Sequence, residues 1–338
     1  MRTGLLVFVA LGLLFCIYSE NFVTAPAKAQ VSLDTVQDPA SIPDRSYPAP
    51  KGQKALLIGA ACRADLVLLV GERGLIFRST DGGKNFQQVD SPTRRMICSV
   101  ILADDQLAYA VGHDMTVLRS RDSGHSWQQV YRDPDADLAL FSVVSLGGGK
   151  VLAVGSFGTV LLSDDDGENW RQQLISEDGP HLYSVKQMGS NLVVVGEFGS
   201  IFKSEDAGDS WNLLESPYEG TFFDVIPLVN SQRLLLLGLR GNLWEGQVGD
   251  WKRIDTGFEA SLFGGSILSN GRVVVVGDEG RVMVRSATGQ WHDRSPGERR
   301  LLSSATGLTD DSVVIVGEKG YRIRSISGSD STDGEERR

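Results

Sequence analysis

The chain has little of what catalytic and metal-binding proteins rely on. It holds three cysteines and four histidines in 338 residues. His113, His125, His181 and His292 are scattered, and no cysteine lies in a CxxC or CxxH spacing. A metal site needs several such ligands converging, so no metal is expected. Nor is there a G-x-S-x-G elbow, a G-x-x-x-x-G-K-[ST] phosphate loop or an H-E-x-x-H helix. No catalytic residue and no cofactor are therefore assigned. Positive charge is also in deficit, with 33 basic against 43 acidic residues and a net charge of −10. Nonspecific nucleic-acid binding needs phosphates neutralised by Lys and Arg, so that class is excluded, while a local basic patch is not. Finally, the apolar run Leu5–Ile17 has thirteen residues, short for a membrane span of about 20.

That run follows Arg2 and precedes Ala27-Lys28-Ala29, so residues 1–29 read as a cleaved signal peptide for export. Phe15, directly before Cys16, is too bulky for a lipid-modification signal. The mature chain then begins near Gln30 with 31 basic and 42 acidic residues. Its two cysteines, Cys62 and Cys98, fit either a disulfide between neighbouring units or two small buried hydrophobes.

What the chain does have is a repeat. The pattern V-G-x-x-G-x-Φ-x-x-S, with Φ apolar, carries the glycine pairs Gly71/Gly74, Gly155/Gly158, Gly196/Gly199, Gly238/Gly241, Gly277/Gly280 and Gly317/Gly320. A seventh copy at Gly112 has Met115 in place of the second glycine. Successive first glycines are 41, 43, 41, 42, 39 and 40 residues apart, a period that fits four short strands with their turns. In the third unit, 140–144, 151–154, 159–162 and 170–173 are runs rich in β-branched and aromatic residues between Gly/Asp turns, so they read as antiparallel strands.

Between the third and fourth strands stands an S-x-D-x-G-x-x-W box. It occurs as Ser79/Asp81/Gly83/Phe86, Ser120/Asp122/Gly124/Trp127, Ser163/Asp165/Gly167/Trp170 and Ser204/Asp206/Gly208/Trp211. Its aspartate can accept hydrogen bonds from its own turn while the aromatic ring packs between sheets, so it is a fold element. The Asp164–Asp166 run lacks the spaced ligands and distal glutamate of a calcium loop. Units five and six have lost the box but keep Trp251 and Trp291. The last unit shows no fourth strand, only a polar tail.

The expected fold is all-β: a seven-bladed β-propeller of four-stranded antiparallel blades, its ring closed by an N-terminal strand. Residues 30–50 form the N-terminal segment with that strand, 51–326 the propeller and 327–338 a polar C-terminal tail. A monomer is expected.

The V-G-x-x-G-x-Φ hairpins interleaved with S-x-D-x-G-x-x-W boxes resemble the photosystem II stability and assembly factor family and its bacterial relatives, over about Pro50 to Ser325. The leader without twin arginine and the acidic body look more like the non-photosynthetic relatives. The resemblance implies a non-enzymatic factor outside the cytoplasm, in the periplasm or, in a photosynthetic organism, the thylakoid lumen. It implies an arginine-bearing surface that binds a membrane protein. In the photosynthetic members the partner is newly made reaction-centre protein. The relatives' association with exporters of the resistance-nodulation-division superfamily suggests a transporter instead.

In a four-stranded blade, the hairpin between strands two and three shares one face with the crossover loop to the next blade. On that face Arg73 and Lys319 sit in hairpins, and Arg94, Arg95, Arg299 and Arg300 in crossovers near Lys51 and Lys54, all in units one, two and seven. These cations are the candidate partner-binding residues, suited to carboxylates or anionic headgroups. Their acidic neighbours Glu72, Glu298 and Glu318 can cancel them, which would leave an ordinary solvated rim. Phe157 and Phe198 are candidate apolar contacts on units three and four, near His181 and Tyr183. Glycan binding through stacked aromatics is a secondary alternative. A glycoside hydrolase is the weakest, because no carboxylate pair has a claim to the axis at the separation of about 5–9 Å that such chemistry uses.

Overall fold

The computed structural model describes residues 44–49, 51–176, 179–228 and 231–326. Residues 1–29, expected as a signal peptide, lie with residues 30–43 and 327–338 outside the described residues.

Among the described residues, seven antiparallel sheets follow one another along the chain, six with four strands and the last with three. Blade 3 shows the pattern, with strands Leu140–Gly147, Lys150–Gly155, Thr159–Ser163 and Arg171–Leu174. Its second strand is buried throughout except at its first residue, because it is covered by sheets on both sides. Such strands read as continuous apolar runs, as Val273–Gly277 does in blade 6. The outer strand is largely exposed and polar.

The core is seven layers, each shared by two successive blades. Leu68 and Ile76 of blade 1 pack on Ile97 and Leu118 of blade 2, and the same arrangement continues round the ring. The seventh layer joins the ends of the domain: Val314 and Val316 of blade 7 cluster with Leu57, Leu69 and Phe77 of blade 1. There Phe86 meets Tyr321 with ring centroids 4.5 Å apart, and the Ser303 hydroxyl donates to Leu57 O at 2.7 Å. The described strands of blade 7 are Leu302–Gly307, Ser312–Gly317 and Gly320–Ser325. The described part of the N-terminal segment, residues 44–49, runs beside the outer strand of blade 1, where Ser46 N donates to Ser91 O at 2.9 Å. Residues 44–49 do not form the ring-closing strand expected within residues 30–50, since they lie along blade 1 without pairing to blade 7, and residues 30–43 lie outside the described residues.

The box turns fasten each blade to its predecessor. In blade 3 the Ser163 hydroxyl donates to Asp165 Oδ1 at 2.9 Å, and Asp165 accepts from Asn169 N at 2.8 Å. The Trp170 indole donates to Gly167 O at 3.1 Å. From blade 2, Arg119 reaches this turn, donating to Asp166 O at 2.7 Å and pairing with Glu168 at 2.8 Å. Asp164 pairs with Lys150 at 3.2 Å. Where the box is lost, Arg285 of blade 6 instead holds Glu245 of blade 5 at 2.9 and 3.2 Å. Both thiols are free: Cys62 donates to Ala64 O at 3.4 Å, and burial pushes the Cys98 thiol up to about 12.

Candidate functional site

Each V-G-x-x-G hairpin divides its two central residues between two tasks. The first fastens the turn to the inner strand of its own blade. Its backbone N–H donates to the residue just before that strand, as from Glu72 to Leu56 O at 3.0 Å, Ser156 to Ala139 O at 2.9 Å and Glu197 to His181 O at 3.0 Å. Its side chain can answer: Leu56 N donates to Glu72 Oε1, Ala139 N to Ser156 Oγ and His181 N to Glu197 Oε2. The second central residue stands at the tip with positive φ. These tips are Arg73, Asp114, Phe157, Phe198, Arg240, Glu279 and Lys319, with φ running from 51° at Phe157 to 70° at Lys319. The left-handed region costs a non-glycine residue about 1–2 kcal/mol.

The tips share a face with the crossover loops, as the closeness of the two shows. A Cβ on Gly74 would lie 2.0 Å from Thr93 O, and one on Gly320 would lie 1.7 Å from Gln53 O. The hairpin of blade 7 therefore abuts the 52–54 turn, and that of blade 1 abuts the 93–94 loop. This places Lys319, Lys54, Arg73 and Arg94 along one arc.

Within that arc is a groove lined by the apolar Tyr47, Ala49, Ala55 and Leu75 and by Lys51, Lys54, Arg73 and Arg94, with the carboxylate of Glu72, which accepts from Leu56 N, among them. The Arg94 guanidinium lies 4.0 Å over the Tyr47 ring and donates from Nε to Arg45 O at 3.0 Å. The cations differ in how far they are committed. Arg95 Nε pairs with Asp114 Oδ2 at 2.8 Å, which Arg132 shares at 2.8 Å. Arg300 pairs with Glu298, as does Arg322 at 3.2 Å; burial, with Arg322 and Arg324 nearby, lowers the proton affinity of Arg300. Lys51, Lys54, Arg73, Arg299 and Lys319 make no ion pair among the described residues and are exposed. Arg73, Arg94 and Lys319 thus lie on one arc with Lys51 and Lys54, while Arg95 and Arg300 are paired with Asp114 and Glu298.

On the other side of the ring the sequence reading missed an aromatic ladder. The inner strand of each blade is bulged near its start, as between Leu182 and Ser184 or between Phe222 and Asp224. In blades 3 to 6 the bulged residue is Phe141, Tyr183, Phe223 or Phe263. Their ring centroids stand 5.4, 5.4 and 5.1 Å apart in succession. In blades 7, 1 and 2 the corresponding residues are Ser303, Ile58 and Cys98. His181 packs edge-on against Phe141 at 6.1 Å and lies tilted against Phe157 at 4.6 Å. Tyr183 donates to Glu197 at 3.4 Å, and burial, reinforced by that carboxylate, pushes its phenol up. Tyr183 is therefore a supporting residue, whereas Phe157 and Phe198 are 57% and 76% exposed.

A comparison with curated proteins finds no match. Among solved structures the chain is similar to YCF48 bound to a D1 peptide, with a TM-score of 0.67 and 17% identity over 82% of this chain and 95% of that one. It is similar to YCF48 from Cyanidioschyzon merolae, with a TM-score of 0.66 and 15% identity over 82% and 97%. The computationally designed Ika8 protein scores 0.59 at 12% identity over 81% and 97%. These likenesses establish the seven-bladed fold. Family membership comes from residues 83–259, more than half of the chain, which match the model of photosynthesis system II assembly factor YCF48. The chain belongs to this YCF48 family of non-catalytic β-propellers.

Proposed function

We propose that this propeller is an assembly factor that holds an extracytoplasmic segment of a membrane protein on its hairpin face. The observation that carries the reading is the blade 1 groove, where Lys51, Lys54, Arg73 and Arg94 stand beside an apolar lining on a protein of net charge −10. A peptide with carboxylates and apolar side chains suits it, because its apolar groups would cover the groove's apolar lining and the water they displace would strengthen the charge pairing beside them. Lys319 and Arg299 extend the same field, which would speed encounter with an acidic segment. The relative solved bound to a D1 peptide supports a peptide as occupant, and the family name favours photosystem II assembly over an exporter of the resistance-nodulation-division superfamily. Periplasm or thylakoid lumen is the compartment that such a partner requires.

The test is capture from gently solubilised native membranes with the mature propeller and a Lys51→Glu/Arg73→Glu variant, bound proteins being identified by mass spectrometry. Recovery of one membrane complex by the wild type, reduced at least tenfold in the variant, is the expected result, and the identity of that complex separates photosystem from exporter. Equal recovery by both proteins, or none by either, defeats the reading.

A further inference from the structure

We infer that the hairpin tips are the surface with which this propeller reads its partner, and that Phe157 and Phe198 are its apolar anchor. The occupant is an extended protein segment with apolar side chains at the phenylalanines and carboxylates across the ring at Arg73 and Lys319. This deepens the proposed function and rests on its assignment of the hairpin face.

The tip is a position in each blade where glycine would be easy, since φ there is positive. Glycine stands next to it in six hairpins and at the tip in none. The side chain there is also not needed to hold the turn, because the residue before it makes the fastening hydrogen bonds. Phe198 is 76% exposed and Phe157 57% exposed on successive blades. For Phe198, which makes no ring contact among the described residues, an unfavourable backbone conformation kept for a water-facing side chain has no return within the fold.

Phe157 is moreover held in place. Its N–H donates to His181 Nδ1 at 3.1 Å, its ring lies 4.6 Å from the imidazole, and His181 in turn packs on Phe141. A rigid aromatic side chain gives contact area at little entropic cost on binding. Charge decides the rest of the occupant. The phenylalanines are on blades 3 and 4. Arg73 and Lys319, exposed and in no ion pair among the described residues, are on blades 1 and 7, so a segment crossing the ring meets an apolar end and a cationic end. This polarity favours a peptide over a neutral glycan, which would use the aromatic tips alone.

The test places p-benzoyl-phenylalanine singly at Phe157, Phe198, Arg73 and Lys319 of the full chain, with Leu213 and Val248 as exposed controls, and irradiates it in native membranes. Adducts from positions 157 and 198 are expected on apolar residues of one membrane-protein segment, with adducts from 73 and 319 on its acidic end. A synthetic peptide of the crosslinked sequence should bind a Phe157→Asn/Phe198→Asn variant at least tenfold more weakly than wild type. Asparagine accepts the left-handed conformation, so the variant's melting temperature should equal or exceed that of the wild type. Adducts from 73 and 319 without adducts from 157 and 198 above the controls would overturn the anchor and leave the face assignment standing. No adduct from any of the four would overturn both. Glycan adducts at the phenylalanines, or a melting temperature lowered by asparagine, would overturn the inference as well.

Discussion

Asp81, Asp165 and Asp206 have the same chemistry in three blades, each with its carboxyl held down to about 2 from 3.8. The largest causes are side-chain hydrogen bonds, from Ser79, Asn169 and Ser210 respectively, and backbone N–H groups of the same turns add to them. Because the folded values lie below the unfolded ones, the boxes contribute stability that is fully present above about pH 4 and is lost as pH falls towards 2. Asp165→Asn should therefore lower stability at neutral pH and flatten its decline below pH 4. Urea midpoints measured along a pH series check this, and parallel profiles for variant and wild type would refute it. The box aromatics allow a second comparison. The Trp211 indole donates to Gly208 O at 3.1 Å, whereas the Trp291 indole nitrogen is buried with no partner among the described residues. Trp211→Phe thus loses a hydrogen bond worth about 1 kcal/mol that Trp291→Phe does not lose. Chemical denaturation of the two variants should show the first as the more destabilised.

At the scale of the element, the two glycines of the hairpin are required for different reasons. Gly277 has extended backbone, but its strand crosses so near the chain before the inner strand that a Cβ would lie 2.0 Å from Ser261 O. Gly280 has φ 74°, and a Cβ there would lie 1.9 Å from Glu298 O in the crossover loop. Gly280→Ala combines backbone strain with a carbonyl clash and should cost about 2 kcal/mol or more, read as a lowered denaturation midpoint with the wild-type cooperativity. The sequence shows these hairpins plainly because both constraints repeat in nearly every unit. Blade 2 departs for a local reason: its crossover, in the longest interval of 43 residues between first glycines, accommodates Met115, which is fully buried in the layer with Tyr109 and Leu140. The aromatic ladder was not legible, because a bulge breaks the two-residue alternation by which strand faces are read. The pairing of Arg300 with Glu298, two residues away, was legible, but the other pairs of the basic arc were hidden for another reason. Arg95 and Asp114 belong to different elements, as do Glu298 and Arg322, and only the fold brings such partners together. Likewise the groove lining combines Tyr47 with Leu75, residues that the repeat pattern does not connect.

For the whole molecule, closure follows from repetition. Every blade has two apolar faces, so an open array would leave two of them in water, and the layer between blades 7 and 1 removes both. The ring then gives each hairpin a fixed angular place, and side chains far apart in sequence become neighbours on one face. The same arrangement separates charge on that face from the acidic character of the chain as a whole. Arg73, Lys51 and Lys54 make no ion pair among the described residues, yet the protein carries −10 overall. Their field therefore acts over short range and is screened by salt within about 8–10 Å at physiological ionic strength. Association with an acidic partner segment should slow by about tenfold from low to physiological salt. Arg73→Glu/Lys319→Glu should associate more slowly at low salt, with a shallower salt dependence, while dissociation governed by the apolar contacts changes less. Stopped-flow measurements over a salt series separate the two rates. A wild-type association rate indifferent to salt would remove steering by the basic arc and leave recognition to the apolar contacts.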